Sequence, residues 1–291
     1  MPTTHARRGR HFLVPVALGA LLAACGGSSS DAEDLGRSIG AGFANGVVCA
    51  MANCKPSSEA ATQDVRLSYT ATQTGSVLTV KAQLHQDGKW AVLQLADGDA
   101  LSADLQGRTL ELKPSSPGAA SYEANFEGMA EQVRVTVNFH RAGRTYGSSV
   151  QIPPRFTMLS PGGAVRMSNR GADLDVLLQV PSQARPLLTS SARCTHQDGS
   201  FSAFTQTPPF ELIETQGELQ RYRLRSADLA RFVAQTLHGG SGSGNNPIKS
   251  CDFSLAWAIA QTGSVPTGIS SGGSRSGEYA VPLDVRYELL P

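Results

Sequence analysis

The sequence predicts an all-β protein built as two tandem antiparallel sandwiches. Three observations carry that prediction. Apolar and polar residues alternate in many short runs, turn residues punctuate the runs, and no stretch reads as a crossover helix between parallel strands. Gly (30 residues) and Pro (16) supply the turns, and a 40% share of hydrophobic residues is enough to fill cores.

Residues 1–24 stand outside this pattern. A basic start (Arg7, Arg8, Arg10) precedes an apolar run from Phe12 to Leu22. The run is about half the length needed to cross a bilayer, so it reads as the apolar region of an export signal. It closes on Leu22-Ala23-Ala24-Cys25, which resembles the bacterial lipobox. The resemblance implies cleavage before Cys25, diacylglycerol on its sulfur, and N-acylation by palmitate or a similar chain. Several buried acyl chains, at about 0.8 kcal/mol per CH₂, make such an anchor effectively permanent. Gly26 follows the cysteine where an Asp would mark retention, and by analogy with enterobacterial lipoproteins this implies the outer membrane.

Residues 25–63 form the lipidated cysteine, a flexible tether (Gly26 to Ser30) and a short helix. Leu35, Ile39, Phe43, Val47 and Met51 recur every four residues, a stripe suited to covering an edge of the next domain. Gly36, Gly40, Gly42 and Gly46 weaken that helix by about 1 kcal/mol each relative to Ala.

From residue 64 the period changes to two, and residues 64–154 are expected to form the first sandwich. Val65, Leu67 and Tyr69 alternate, then Leu78 to Leu84, then Trp90 and Val92 after the Asp87-Gly88 turn. Leu101 to Leu105, Leu110 and Leu112, Tyr122 to Phe126, Val133 to Phe139, and Val150 with Ile152 complete about seven strands. Pro153-Pro154 breaks the pattern, and residues 155–291 are expected to form the second sandwich. Its strands are read at Leu174 to Val180, Tyr222 and Leu224, Phe253 to Ile259, and Tyr279 to Leu289. Ser226 to Leu237 predicts one short helix, with Ser226 as N-cap and Leu229, Phe232 and Val233 on its buried face.

Four cysteines remain besides Cys25, and an even number in an exported chain reads as disulfides. Cys251 shares its strand face with Phe253, Leu255 and Trp257, and Cys194 shares the parity of Ala192. Two inward cysteines in one sandwich are expected to meet across its core, so Cys194 pairs with Cys251. Closing that loop is worth about 4 kcal/mol on the chain-entropy model. Cys49 is then left to Cys54, a structural staple, since a C-x₄-C spacing with no histidine nearby suits neither a redox pair nor a metal site.

Little chemistry is visible. The chain has no G-x-S-x-G, H-E-x-x-H or S-x-x-K motif, and Gly239 to Asn246 lacks the Lys-Ser/Thr of a phosphate loop. Asp97, Asp99 and Asp104 offer oxygens but fail the EF-hand template, because Leu101 and Ser102 stand where it needs Asp or Asn and Gly. No catalytic residue, metal or cofactor is therefore expected. An enzyme would need a cleft combining residues such as His196 and Asp198, with a shifted pKa there. Arg221, Arg223 and Arg225 alternate along one strand, a candidate anionic-ligand face that more ordinarily is a solvated or edge-guarding one. The chain's formal charge of +1 falls to −2 once the three leader arginines are removed, which excludes a nucleic-acid binder.

Two tandem sandwiches behind a lipobox resemble the immunoglobulin-like domains of bacterial envelope proteins, and the joint Pro153 to Pro161 is similar to the point where such domains begin. The layout resembles uncharacterised proteobacterial lipoproteins of that kind. Trp257 after the second cysteine and Lys249 in place of a corner tyrosine depart from the antibody pattern. The resemblance implies a non-catalytic binding or scaffolding role, held to the membrane by its lipid, with an envelope protein or glycan as partner. The alternative is an accessory subunit of a secretion, pilus or transport assembly. The loops at 239–246 and 263–277 are the expected recognition surfaces.

Overall fold

In the computed structural model, residues 53–290 are described, apart from 90, 97, 130–131, 182–183 and 239–245. The expected export signal, Cys25, Cys49, the tether and the helical stripe up to Met51 lie outside the described residues.

The first region comprises β1 (Asn53–Pro56), two 3-10 turns, β2 (Val65–Thr74), β3 (Val77–Gln86), β4 (Ala91–Gln94), β5 (Ala100–Leu105), β6 (Arg108–Glu111), β7 (Lys113–Pro114), β8 (Ser121–Phe126), β9 (Arg134–Arg141) and β10 (Arg144–Gln151). β10, β9, β5 and β6 form one four-stranded sheet, and β1, β4, β3 and β2 lie in the other. Strict alternation in β2 buries Val65, Leu67, Tyr69 and Ala71, and the same period in β9 buries Val135, Val137 and Phe139. The two sheets face each other, and the Tyr69 hydroxyl meets Ser148 Oγ of β10 at 3.0 Å.

The second region comprises β11 (Thr157–Ser160), β12 (Val165–Ser168), β13 (Leu174–Gln179), β14 (Leu187–His196), β15 (Phe201–Phe204), β16 (Glu211–Gln216), β17 (Leu219–Leu224), helix α1 (Ser226–His238), β18 (Ile248–Thr262) and β19 (Arg275–Glu288). β11, β13, β17 and β16 make a four-stranded sheet that meets the other across Trp257, with Tyr222 at 6.3 Å and Phe210 at 5.2 Å between ring centroids. The protein is thus all-β in sandwich-like layers, as its alternation predicts.

One 11-stranded sheet, ordered β1-β4-β3-β2-β19-β18-β14-β15 with β12, β7 and β8 attached, runs through both sandwiches. The pairings β1 with β4, β12 with β19 and β19 with β2 are parallel, so the arrangement is not wholly antiparallel. A single buried apolar cluster joins both regions.

The predicted helix is present as α1, with Leu229 and Val233 buried and Phe232 packed edge-on against Phe204. Ser226 does not cap it through its own hydroxyl. That group donates to the Ser168 carbonyl at 2.6 Å, tying the helix start to the end of β12.

Candidate functional site

The feature that organises the molecule is the joint between the sandwiches, and it is built by one hairpin. β18 and β19 pair over 13 residue partners, and the far end of β19 then continues in parallel along β2, Arg275 opposite Tyr69 and Tyr279 opposite Gln73. Residues 281–288 alternate between core and solvent, whereas residues 275–280 are all buried. The hairpin tip closes over the first sandwich. Ser264 N donates to the Ser149 carbonyl at 2.7 Å and Ser148 Oγ to the Ser264 carbonyl. Ser270 N donates to the Val65 carbonyl at 2.9 Å, and Ser270 Oγ donates to Asp87 at 2.6 Å.

Two glycines permit this approach. A Cβ on Gly277 would stand 2.7 Å from the Gln151 carbonyl, and one on Gly273 would stand 2.6 Å from the Leu67 carbonyl, with φ at +98°. The glycine-rich stretch 263–277, expected as a free recognition loop, is therefore in large part a packing element. Ile269 joins the core and Pro266 and Ser270 are buried, while Ser264, Val265, Thr267, Ser271 and Ser274 remain exposed.

The joint also buries polar groups. Glu278 is fully buried, accepts from Ser276 Oγ at 3.0 Å and Thr72 Oγ1 at 3.4 Å, and has its pKa pushed up by that burial. Arg275 donates to the carbonyls of Gly272 (2.7 Å) and Ser271 (3.0 Å). Elsewhere in the first sandwich, Arg141 holds the incoming chain. Its guanidinium forks onto Asp99 (2.6 Å at closest) and donates to the carbonyls of Ser57 and Ala60. Both side chains are nearly buried, and Arg141 also lies over the Phe139 ring at 5.0 Å.

The remaining expected residues fall as follows. Cys194 and Cys251 are disulfide-bonded, but by a different route from the one expected. They are direct neighbours on β14 and β18 within one sheet, so the bridge fastens adjacent strands and does not cross the core. Cys54 is also disulfide-bonded, and its expected partner Cys49 lies outside the described residues.

The arginine row is charge-balanced and not a free cationic face. Arg221 meets Glu214 (3.5 Å), Arg225 meets Glu211 (3.3 Å), and Arg223 forks onto Asp175 at 2.6 and 2.8 Å, which lowers the aspartate's pKa. The acids sit on the flanking strands β13 and β16, so sequence could not pair them with the row without the register.

Asp99 and Asp104 are engaged by Arg141 and by Thr109 and Asn138 respectively, and Asp97 lies outside the described residues. Among the described residues no group of three or more His, Cys, Asp or Glu could hold a metal ion. His196 is buried, with Nδ1 on the Asn246 carbonyl (3.0 Å) and Nε2 on Ser202 Oγ (2.9 Å). The carbonyl can only accept, so Nδ1 donates to it, and both ring nitrogens have a partner. Asp198 is drawn down to about 2, first by the Ser200 hydroxyl, in a turn where it accepts from that residue's side chain and backbone. Of the expected loop 239–246, residue 246 alone is described.

No family model matches the chain, and no curated protein is similar to it in sequence. Solved tandem-domain structures align with the chain at low identity and low TM-score. The I9-I11 tandem from titin is 7% identical over 77% of this chain and 66% of that one, with a TM-score of 0.21. The I-band fragment I67-I69 from titin is 9% identical over 78% and 66%, with a TM-score of 0.23. The FN1-FN3 domains of chicken CNTN1 are 10% identical over 79% and 65%, with a TM-score of 0.22. The chain thus spans just under two thirds of the length of each of these, and likeness at this level carries no argument about activity.

Proposed function

We propose that this is a lipid-anchored envelope protein, acylated at Cys25, whose two sandwiches act as one stiff arm for binding or scaffolding at the outer membrane. The observation that supports the arm is the sharing of β19. A strand paired to both sandwiches, with its tip packed into the first, leaves no flexible linker at the joint. The first described strand, β1, belongs to the first sandwich, so the chain coming from Cys25 reaches that sandwich first. The described side chains that resemble catalytic groups are satisfied within the fold, which favours a binding role over catalysis.

The test is a cross-linking pull-down from intact envelopes, with Cys25→Ala as the unanchored control. An envelope partner or surface glycan recovered with the anchored chain and lost with the control is the expected result. Equal recovery in both would overturn the role of the anchor. A partner in constant stoichiometry would make the chain an assembly subunit and not a free-standing binder.

A further inference from the structure

The long sheet leaves one open face on the second sandwich, at the end of the hairpin away from the joint. Four strands that are distant in sequence align there. Arg166 of β12 stands opposite Arg286 of β19, Arg286 opposite Asp252 of β18, and Asp252 opposite Arg193 of β14, all exposed. Arg286 draws both nearby carboxylates, Asp252 at 3.3 Å and Glu288 at 3.2 Å, while Asp284 accepts from Ser254. Arg166 therefore forms no ion pair with any described residue, though it sits directly beside a second arginine. The charge of Arg286 is answered within the sheet, and that of Arg166 is left for an outside anion.

Arg193 likewise forms no ion pair with a described residue, since Asp252 opposite it is drawn to Arg286, and it lies 4.1 Å over the ring of Phe201. That ring is 62% exposed, the most open large apolar side chain among the described residues. A stacked guanidinium keeps its in-plane N–H groups free to fork onto a carboxylate. Strand spacing puts Arg166 and Arg193 about 14 Å apart, three strands at ~4.8 Å each. Two arginines with no ion-pair partner among the described residues, at that separation on one sheet face and with an apolar ring beside one of them, suit an extended chain that carries carboxylates on rings.

We infer that this face binds a carboxylated polysaccharide, with Arg166 and Arg193 gripping uronate carboxylates and Phe201 meeting a sugar ring. The inference rests on the binding role proposed above and names its ligand class. It also moves that class from the row Arg221, Arg223 and Arg225, whose charges are answered, to a row that only strand register assembles.

The test is affinity electrophoresis of the full-length lipoprotein in detergent micelles, through gels containing polygalacturonate or, as the neutral control, dextran. Polygalacturonate is expected to retard the chain and dextran to leave it unretarded. The double variant Arg166→Gln/Arg193→Gln should lose about tenfold or more in affinity, the scale of one to two charge-assisted contacts. Phe201→Ala should weaken binding by a smaller factor, and Arg221→Gln/Arg225→Gln should leave it unchanged. No retardation by polygalacturonate, or equal loss in both double variants, would overturn the inference. So would binding of anionic phosphatidylglycerol vesicles through Arg166 and Arg193 in place of the polysaccharide. An envelope partner pulled down equally by wild type and by Arg166→Gln/Arg193→Gln, with polygalacturonate inert, would overturn this inference alone and leave the binding role standing.

Discussion

The two ends of β19 are one strand in two environments. Toward its C-terminus the strand alternates, with Leu283, Val285 and Tyr287 in the core and Asp284 and Arg286 in water. Toward its N-terminus alternation stops, because Arg275, Ser276, Gly277 and Glu278 are buried between sandwiches or against neighbouring backbone. The same contrast separates two ion pairs of identical chemistry. Arg141–Asp99 has side chains 11% and 7% exposed and fastens the entering chain, whereas Arg223–Asp175, at 37% and 43%, sits on a solvated face. Polar residues that are buried hold this molecule's parts together, and those in water mostly balance charge.

The largest expected effect follows from breaking the buried pair. Arg141→Ala leaves Asp99 and two carbonyls without their partner in a nearly dry site, at a cost of about 3–5 kcal/mol. Urea denaturation checks this, and a loss under about 1 kcal/mol would mean that water replaces the guanidinium. Next comes Gly277→Val, which forces side-chain atoms onto the Gln151 carbonyl and is expected to cost about 2–3 kcal/mol. Gly163→Ala, at an exposed position where an added Cβ meets nothing within 4 Å, gives a comparison for the simple loss of a glycine.

A smaller, pH-dependent effect belongs to Glu278. Burial raises its pKa in the folded state, so the native protein binds its proton more tightly than the unfolded chain does. Its contribution is therefore fully present below the ordinary glutamate range and is lost as pH rises through the raised folded value. The urea midpoint of Glu278→Gln should lack that part of the pH dependence, and parallel profiles for variant and wild type would contradict the assignment. Smallest of all is Arg223→Ala, expected to leave the urea midpoint almost unchanged, because its pair is well solvated.

Much of the fold was legible because alternation survives wherever one face of a strand meets a core. Val65 to Tyr69, Val133 to Phe139 and Phe253 to Trp257 all read correctly, as did the helical face of Leu229 and Val233. β16 was missed because all six of its residues are exposed and no period marks them. β15 was missed because its four residues give too short a run.

The joint was hidden for a different reason. Its first residues, Arg275 to Glu278, read as polar loop, and only the pairing with β2 makes them strand. Gly277 was the available signal, since a glycine just before an alternating run marks a close backbone approach. The pairing of Cys194 with Cys251 followed from parity, but parity cannot distinguish a neighbour in the same sheet from a partner across the core. The arginine row on β17 was legible as a row, whereas its acidic partners and the Arg166–Arg193 face depend on register between strands far apart in sequence.

The claim that the two sandwiches are one mechanical unit sharing β19 is tested most directly by unfolding each with its own reporter. A fluorophore on an exposed residue of each sandwich, at Lys81 and at Ser254, follows the two regions of the full-length chain through one urea titration. Coincident midpoints in the wild type, separating in Gly277→Val, are the predicted result. Two well-separated transitions in the unmodified protein would show independent domains on a common tether and contradict the account.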